Sequence, residues 1–331
     1  MPEFRKDPVT GRWVIIAAER AKRPQIYRSN GARGDPGSCP FCPGNEAMTP
    51  PEVLAYRNHE TAIDAPGWSV RVVPNKYPAL VAEGRWIGQN TGLYESMQGL
   101  GSHEVIIETP DHIVNMATLD EAQIAEVLRA YSQRMLALRE DARWRSILVY
   151  KNQGAAAGAT LEHIHSQLIA LPAVPQEIVG EVEGAKGHFA ATQRCIYCEI
   201  IAQEKNDKRR IVAEHERFIA FCPFASRFPY ETWIFPKAHE SSFEEASAPE
   251  LSDLARALKE ILSRLDLGLK TPPFNYILHT NPRDGARNSY HWHMEIMPKL
   301  TQVAGFEWGS GCTINPLAPE DAASVLREVA I

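Results

Sequence analysis

The chain has 331 residues, of which 44% are apolar and 23% charged, and it carries a net charge of −6. This is ordinary globular composition, with length for two domains or one duplicated unit. The negative balance and the lack of a basic block argue against a nucleic-acid binder, and no run approaches the roughly 18 apolar residues of a membrane helix. Met1 to Asp7 has no apolar signal-peptide core, so the chain reads as cytoplasmic.

Residues 24–52 are rich in Pro, Gly, Ser and Asn and read as loop around Cys39-Pro40-Phe41-Cys42. Trp68 to Val73 alternates like a strand, Gly84 to Ser102 is a polar, Gly-rich excursion, and Glu104 to Glu108 is a second strand. Thr118 is the expected N-cap of a long helix ending near Asp141. Strands are expected at Ser146 to Tyr150 and Glu162 to Leu171, separated by a Gly/Ala-rich loop over Asn152 to Thr160. Later strands are expected near Phe218 to Phe221, Glu231 to Phe235, Asn275 to Thr280 and His291 to Met297. A helix is expected over Ala248 to Leu265, and another over Ala318 to Val329 with Pro319 in its first turn. Each half is then an α+β unit of antiparallel strands with a helix on one face.

The chain repeats itself. Cys39 and Cys42 are followed by His112 and by His163-Ile164-His165; Cys195 and Cys198 are followed by His239 and by His291-Trp292-His293. His112 and His163 are 51 positions apart, and His239 and His291 are 52. Asn152 and Asn281 stand at similar distances before the two pairs. Domains are therefore expected at 1–180 and 181–331. Two thiols and two imidazoles suit tetrahedral zinc, and four protein ligands close the site, which makes the metal structural. The first set is Cys39, Cys42, His112 and His163. The second is Cys195, Cys198, His239 and His291, with His293 or His279 as substitutes for His291. The leftover Cys222 and Cys312 read as buried thiols.

On a strand over 162–171, His163, His165 and Gln167 would share one face. Zinc on His163 would hold the strand, and His165 would face whatever lies before the sheet. The loop Gly154-Ala155-Ala156-Ala157-Gly158 would offer backbone N–H groups to a phosphate.

Asn152-Gln153-Gly154-Ala155-Ala156-Ala157-Gly158 with His163-Ile164-His165-Ser166-Gln167 resembles the galactose-1-phosphate uridylyltransferase family, in the transferase branch of the histidine-triad superfamily. Asp7-Pro8-Val9-Thr10-Gly11-Arg12-Trp13, Arg20-Ala21-Lys22-Arg23-Pro24, Cys39-Pro40-Phe41-Cys42, Pro74-Asn75-Lys76-Tyr77-Pro78 and Pro110-Asp111-His112 also match, so the resemblance covers nearly the whole chain. It implies a duplicated histidine-triad-like fold with two zinc sites, and a homodimer.

The implied chemistry is ping-pong nucleotidyl transfer. His165 attacks the α-phosphorus of a nucleotide-sugar, sugar 1-phosphate leaves, and a phosphorylated acceptor takes the nucleotidyl group. Gln167 stands where hydrolytic relatives carry a third His; an amide donates a hydrogen bond but cannot shuttle a proton. Asn75, Asn152, Gly158 and Thr160 match positions near nucleotide and phosphates. Arg20 and Arg23 match cations that reach a phosphate across a dimer interface, or are solvated surface charges. Glu307 matches a position that contacts sugar hydroxyls. The second half, with Met294-Glu295 after its pair, reads as scaffold.

The resemblance implies UDP-glucose and galactose 1-phosphate as substrates. Two features instead look like plant-type ADP-glucose phosphorylase relatives, which transfer adenylyl to phosphate: the second Cys-x-x-Cys, and the segment Gly305 to Pro316. A nucleotide hydrolase is disfavoured by Gln167. A non-enzymatic zinc-binding interaction protein would need a basic face that the composition lacks.

Overall fold

The computed structural model describes residues 1–22, 36–57, 61–84 and 88–331. Its first half contains β1 (Glu3–Lys6), β2 (Trp13–Ile16), β3 (Leu54–Arg57), β4 (Trp68–Pro74), β5 (Gly88–Thr91), β6 (Tyr94–Gln98), β7 (Ser102–Ile107), α1 (Glu121–Arg139), β8 (Ser146–Gln153) and β9 (His165–Leu171). The second contains α2 (Gln176–Thr192), α3 (Ile196–Asp207), β10 (Ile211–Glu214), β11 (Phe218–Phe221), β12 (Thr232–Pro236), α4 (Ala248–Leu269), β13 (Phe274–His279), β14 (His293–Pro298), α5 (Gly305–Ser310) and α6 (Pro319–Glu328).

One antiparallel sheet runs through both halves in the order β10-β11-β12-β14-β13-β8-β9-β7-β4-β3. The halves meet where β8 pairs with β13, with Asn152 opposite Asn275 and Lys151 opposite Tyr276. β9 and β14, which each begin on the second His of a His-x-His pair, are therefore placed symmetrically about that seam. The expected excursion over 84–102 contains β5 and β6, which join β1 and β2 in a separate four-stranded sheet.

α4 forms because Leu251, Leu254, Leu258, Ile261 and Leu265 recur at helical spacing, all buried. Glu250 accepts from the Ser247 backbone N–H at the entry, and Lys270 ends the helix in a left-handed conformation. α1 is capped by Asp120, whose carboxylate accepts from the Gln123 N–H. The expected cap, Thr118, instead closes a preceding 3₁₀ turn and gives its hydroxyl to the Asn115 carbonyl.

Helices lie on both faces of the sheet, where the sequence suggested one. α1 and α4 cover the face that includes Phe218, Ala220 and Ile234. Because strand side chains alternate, Ile219, Phe221 and Phe235 face the other way, and α2 and α3 cover them with Ile178, Val182 and Ile201. The sequence reading did not foresee α2 and α3. No described helix is long and apolar enough to cross a membrane.

Candidate functional site

β9 begins at His165, not at Glu162. Residues just before it are held by the loop after β7: the Ile164 N–H donates to Ile113 O, and its carbonyl accepts from Glu108 N. His163 therefore leaves the strand face expected for it and turns toward the Cys-x-x-Cys loop, while His165 and Gln167 share the face over a cavity.

Cys39, Cys42, His112 and His163 come together with their ligand atoms within 4.8 Å of one another. His163 Nδ1 lies 3.7 Å from Cys39 Sγ and 3.6 Å from Cys42 Sγ, and His112 Nδ1 lies 3.2 Å from Cys42 Sγ. The carbonyl of Thr109 accepts from His163 Nε2, so the ring's lone pair sits on Nδ1, facing the sulfurs. Burial keeps His163 neutral by pulling its pKa down to about 4. Burial also pushes the Cys42 thiol up to about 12, so a cation is what would make a thiolate there. This donor set fits a tetrahedral S₂N₂ metal such as zinc.

The second set assembles the same way. Cys195, Cys198, His239 and His291 meet within 4.8 Å. His291 Nε2 donates to Pro236 O, and His239 Nε2 donates to Arg287 O, which aims both Nδ1 atoms at Cys198 at 3.6 and 3.4 Å. Cys195 stands just before the first residue of α3 and Cys198 lies in its first turn, so this motif sits at a helix start, whereas the first lies in a loop. The first cluster is largely buried, whereas His239 is exposed and Cys198 half-buried.

His279 and His293 do not join that cluster. They form a third group with Glu181 and Glu295, also within 4.8 Å, which could hold a metal. Its carboxylates already have partners. Arg227 pairs with Glu295 at 2.5 Å, and His279 lies 3.0 Å from Glu181. Sequence reading missed Glu181, which comes from α2.

The cavity before β9 is lined by His165 and Gln167, with Asn75 and Thr160 from the expected set and Phe41, Met48, Pro50, Val73 and Val105 as apolar walls. His165 Nδ1 donates to the His163 carbonyl at 2.8 Å; the carbonyl can only accept, so the lone pair is on Nε2. The Phe41 ring packs edge-on against His165, 5.1 Å between centroids. The Cys-x-x-Cys loop thus supplies a wall of the cavity as well as two thiols of the Cys/His group.

The remaining expected residues are distributed. Asn152 accepts from Asn275 Nδ2 at 2.7 Å and adjoins Gly158, which is left-handed with φ of 89°. Neither lines the cavity wall. Arg20 donates to the carbonyl of Tyr77, a lining residue, at 2.9 Å. Arg23 lies outside the described residues. Glu307 is partly exposed and accepts from Ala304 N at the start of α5; it is not among the residues that line the cavity. Of the two leftover thiols, Cys222 is buried and Cys312 is exposed, because Cys312 falls in the solvent-facing segment after α5.

Sequence reading also missed His103, Tyr150, Lys151 and Glu108. Tyr150 stands directly opposite Gln167 in the register, and His103 is diagonal to it across β7. Strand alternation places His103 on the same face as Val105 and Gln167, a signal available only once the pairing is known.

Comparison with known proteins places the chain in context. Residues 1–175 match the family model "Galactose-1-phosphate uridyl transferase, N-terminal domain", and residues 181–330 match the corresponding C-terminal domain. ADP-glucose phosphorylase of Arabidopsis thaliana is 39% identical over 338 residues, spanning 100% of this chain and 93% of the relative. Galactose-1-phosphate uridylyltransferase of Thermotoga maritima is 28% identical, spanning 100% and 99%. The crystal structure of the Arabidopsis thaliana ADP-glucose phosphorylase with bound ADP-glucose superposes with a TM-score of 0.79 at 37% identity, with both chains fully covered. A uridylyltransferase structure superposes at 0.80 and 30% identity, covering 98% of this chain and 97% of that one.

Proposed function

We propose, from the premise that the chain belongs to the galactose-1-phosphate uridyl transferase family, that it moves an adenylyl group from a nucleotide-sugar to phosphate through His165. Membership makes it an enzyme that transfers nucleotidyl groups. The observation that carries the route is the His165 tautomer: Nδ1–H is tied to the His163 carbonyl, so Nε2 is the nucleophilic nitrogen on a cavity wall.

His165 Nε2 forms a bond to the α-phosphorus and the bond to the sugar phosphate breaks, releasing sugar 1-phosphate. Phosphate then attacks the same phosphorus, the N–P bond breaks, and the imidazole returns to its starting tautomer. Gln167 and Asn75 offer amide donors to the phosphoryl oxygens. Gln167 has no proton to relay, which protects the intermediate from water. The apolar walls Phe41, Met48, Val73 and Val105 suit a flat base. Zinc held in the two Cys/His clusters would be a closed structural ion with no open position for substrate.

Adenylyl is favoured by the 39% identity to the ADP-glucose phosphorylase and by the second Cys-x-x-Cys cluster. The second reading, uridylyl transfer from UDP-glucose to galactose 1-phosphate, is favoured by the family models across both halves. Intact-protein mass measurement near neutral pH, after incubation with equal ADP-glucose and UDP-glucose, decides between them. An adenylyl adduct absent from His165→Ala supports the first reading. A uridylyl adduct moves the assignment to the second. No adduct with either donor overturns the covalent route.

A further inference from the structure

We propose that His103 is a positioning residue that fixes which way the Gln167 amide points. The Ala79 N–H donates to His103 Nδ1 at 3.1 Å, so that nitrogen carries the ring's lone pair. In a neutral imidazole the proton is then on Nε2. His103 Nε2 lies 2.9 Å from Gln167 Oε1 and donates to it.

Two further donors meet the same oxygen. The Tyr150 hydroxyl approaches at 3.1 Å and Asn75 Nδ2 at 3.5 Å. Asn75 is itself oriented, because its Oδ1 accepts from the Tyr77 N–H at 2.9 Å. Three donors on one oxygen leave a single orientation for Gln167. A flipped amide would set its NH₂ against the His103 and Asn75 N–H donors in a buried place and leave those groups unmatched; only the Tyr150 hydroxyl could turn to accept. The NH₂ is the end left for the cavity that Gln167 and His165 line together.

The consequence is chemical. A donor aimed in advance at a reacting phosphoryl oxygen needs no reorganisation during the reaction. His103 does not itself line the cavity; it stands behind the lining residues Gln167 and Asn75, 2.9 and 3.2 Å from their side chains, and acts through Gln167. A histidine merely satisfied in the core would hold the Ala79 turn equally well whatever Gln167 does. That difference makes the two roles separable.

The catalytic consequence rests on the nucleotidyl-transfer reading; the orientation itself does not. Nitrogen NMR of the imidazole in the intact, metal-loaded protein reads the His103 tautomer without any turnover. An Nε2–H form is expected, and an Nδ1–H form overturns the proposal. Single-turnover adduct formation is then measured in variants, using ADP-glucose or UDP-glucose, whichever labels the wild-type protein. Gln167→Ala is expected to slow it by about 100-fold, the scale of one lost phosphoryl donor. His103→Leu should slow it at least about 10-fold with little change in substrate affinity, and should add nothing, within about 2-fold, in a Gln167→Ala background.

His103→Gln keeps an amide where Nε2 stood and should recover most of the rate. His103→Asn can serve Ala79 but falls short of Gln167, and should stay slow. Full activity in His103→Leu, additive losses in the double variant, or rescue by Asn but not Gln would each overturn the proposal. If the wild-type protein takes no adduct, the nucleotidyl-transfer reading fails, and the tautomer still decides the orientation.

Discussion

Lys151 and Glu108 meet at 2.5 Å with both side chains sealed from solvent, directly behind the strand that carries His165. The Lys151 ammonium also donates to the His165 carbonyl at 3.3 Å, and Glu108 accepts from the Ser166 hydroxyl and from Tyr131. Burial pulls the Lys151 pKa down, and Glu108 opposes that pull. Removing one member of such a pair leaves a buried charge without a partner. Lys151→Met is therefore expected to cost about 3–5 kcal/mol. Urea unfolding of the metal-loaded protein checks this; a loss under about 1 kcal/mol would mean that the pair does not brace β9.

Metal removal should separate the two Cys/His clusters. His239 is exposed and Cys198 half-buried, whereas Cys39, Cys42 and His163 are buried. A chelator with a colorimetric zinc readout should release metal in two phases, with the Cys195 cluster first. Cys198→Ser should abolish the fast phase alone. Because structural metal contributes folding energy, melting should fall with each phase. Unchanged melting after both ions are gone would contradict the closed-site reading.

Gly154 has φ of 86° and ψ of 152°, a combination that side chains scarcely adopt. A Cβ placed there would stand 2.8 Å from the Pro273 Cβ, next to the first residue of β13. Gly154→Ala should cost about 1–3 kcal/mol and move the 154–158 loop away from the seam. Gly158→Ala meets only Asn152 Nδ2 at 3.6 Å, so its cost should come from the left-handed backbone alone. Thermal melting of the two variants gives the order: Gly154→Ala below Gly158→Ala below wild type.

Glu295 supplies a pH dependence. Burial would raise its pKa, but His293, His279 and Arg227 outweigh that and hold it at about 2. Glu181, which pairs with His279, and Glu231, which shares Arg227, complete the charged surroundings. A carboxylate depressed on folding stabilises fully above its unfolded value of about 4.5, and the contribution disappears as pH falls toward 2. It amounts to about 3 kcal/mol at neutral pH. Glu295→Gln should lower stability at pH 7, and its deficit relative to wild type should shrink below pH 4.5. A deficit independent of pH would show that Glu295 acts through packing alone.

The two Cys/His sets were legible in the sequence because ligand type and spacing are local patterns repeated twice. The same holds for the long helix α4, whose apolar residues recur at its own period, and for the tail helix α6 opened by Pro319. Pairing is a different kind of fact. That β8 and β13 fuse two halves into one sheet, that His163 steps off the strand, and that α2 brings Glu181 to His279 depend on segments distant in the chain. The capping bond that Glu307 accepts from the Ala304 N–H is likewise a feature of the folded segment.

The sequence alone carries an inventory of chemistry: a histidine two residues before a glutamine, two repeated Cys-x-x-Cys and histidine sets, and a glycine-rich loop. Direction, by contrast, comes from strand pairing and packing. Which nitrogen of His165 carries its lone pair and which end of Gln167 faces the cavity follow from hydrogen bonds and register among β7, β8 and β9, and which histidines meet which thiols follows from the wider fold. Such contacts join residues tens of positions apart, and a hydrogen bond has an orientation only when both of its partners are held in space.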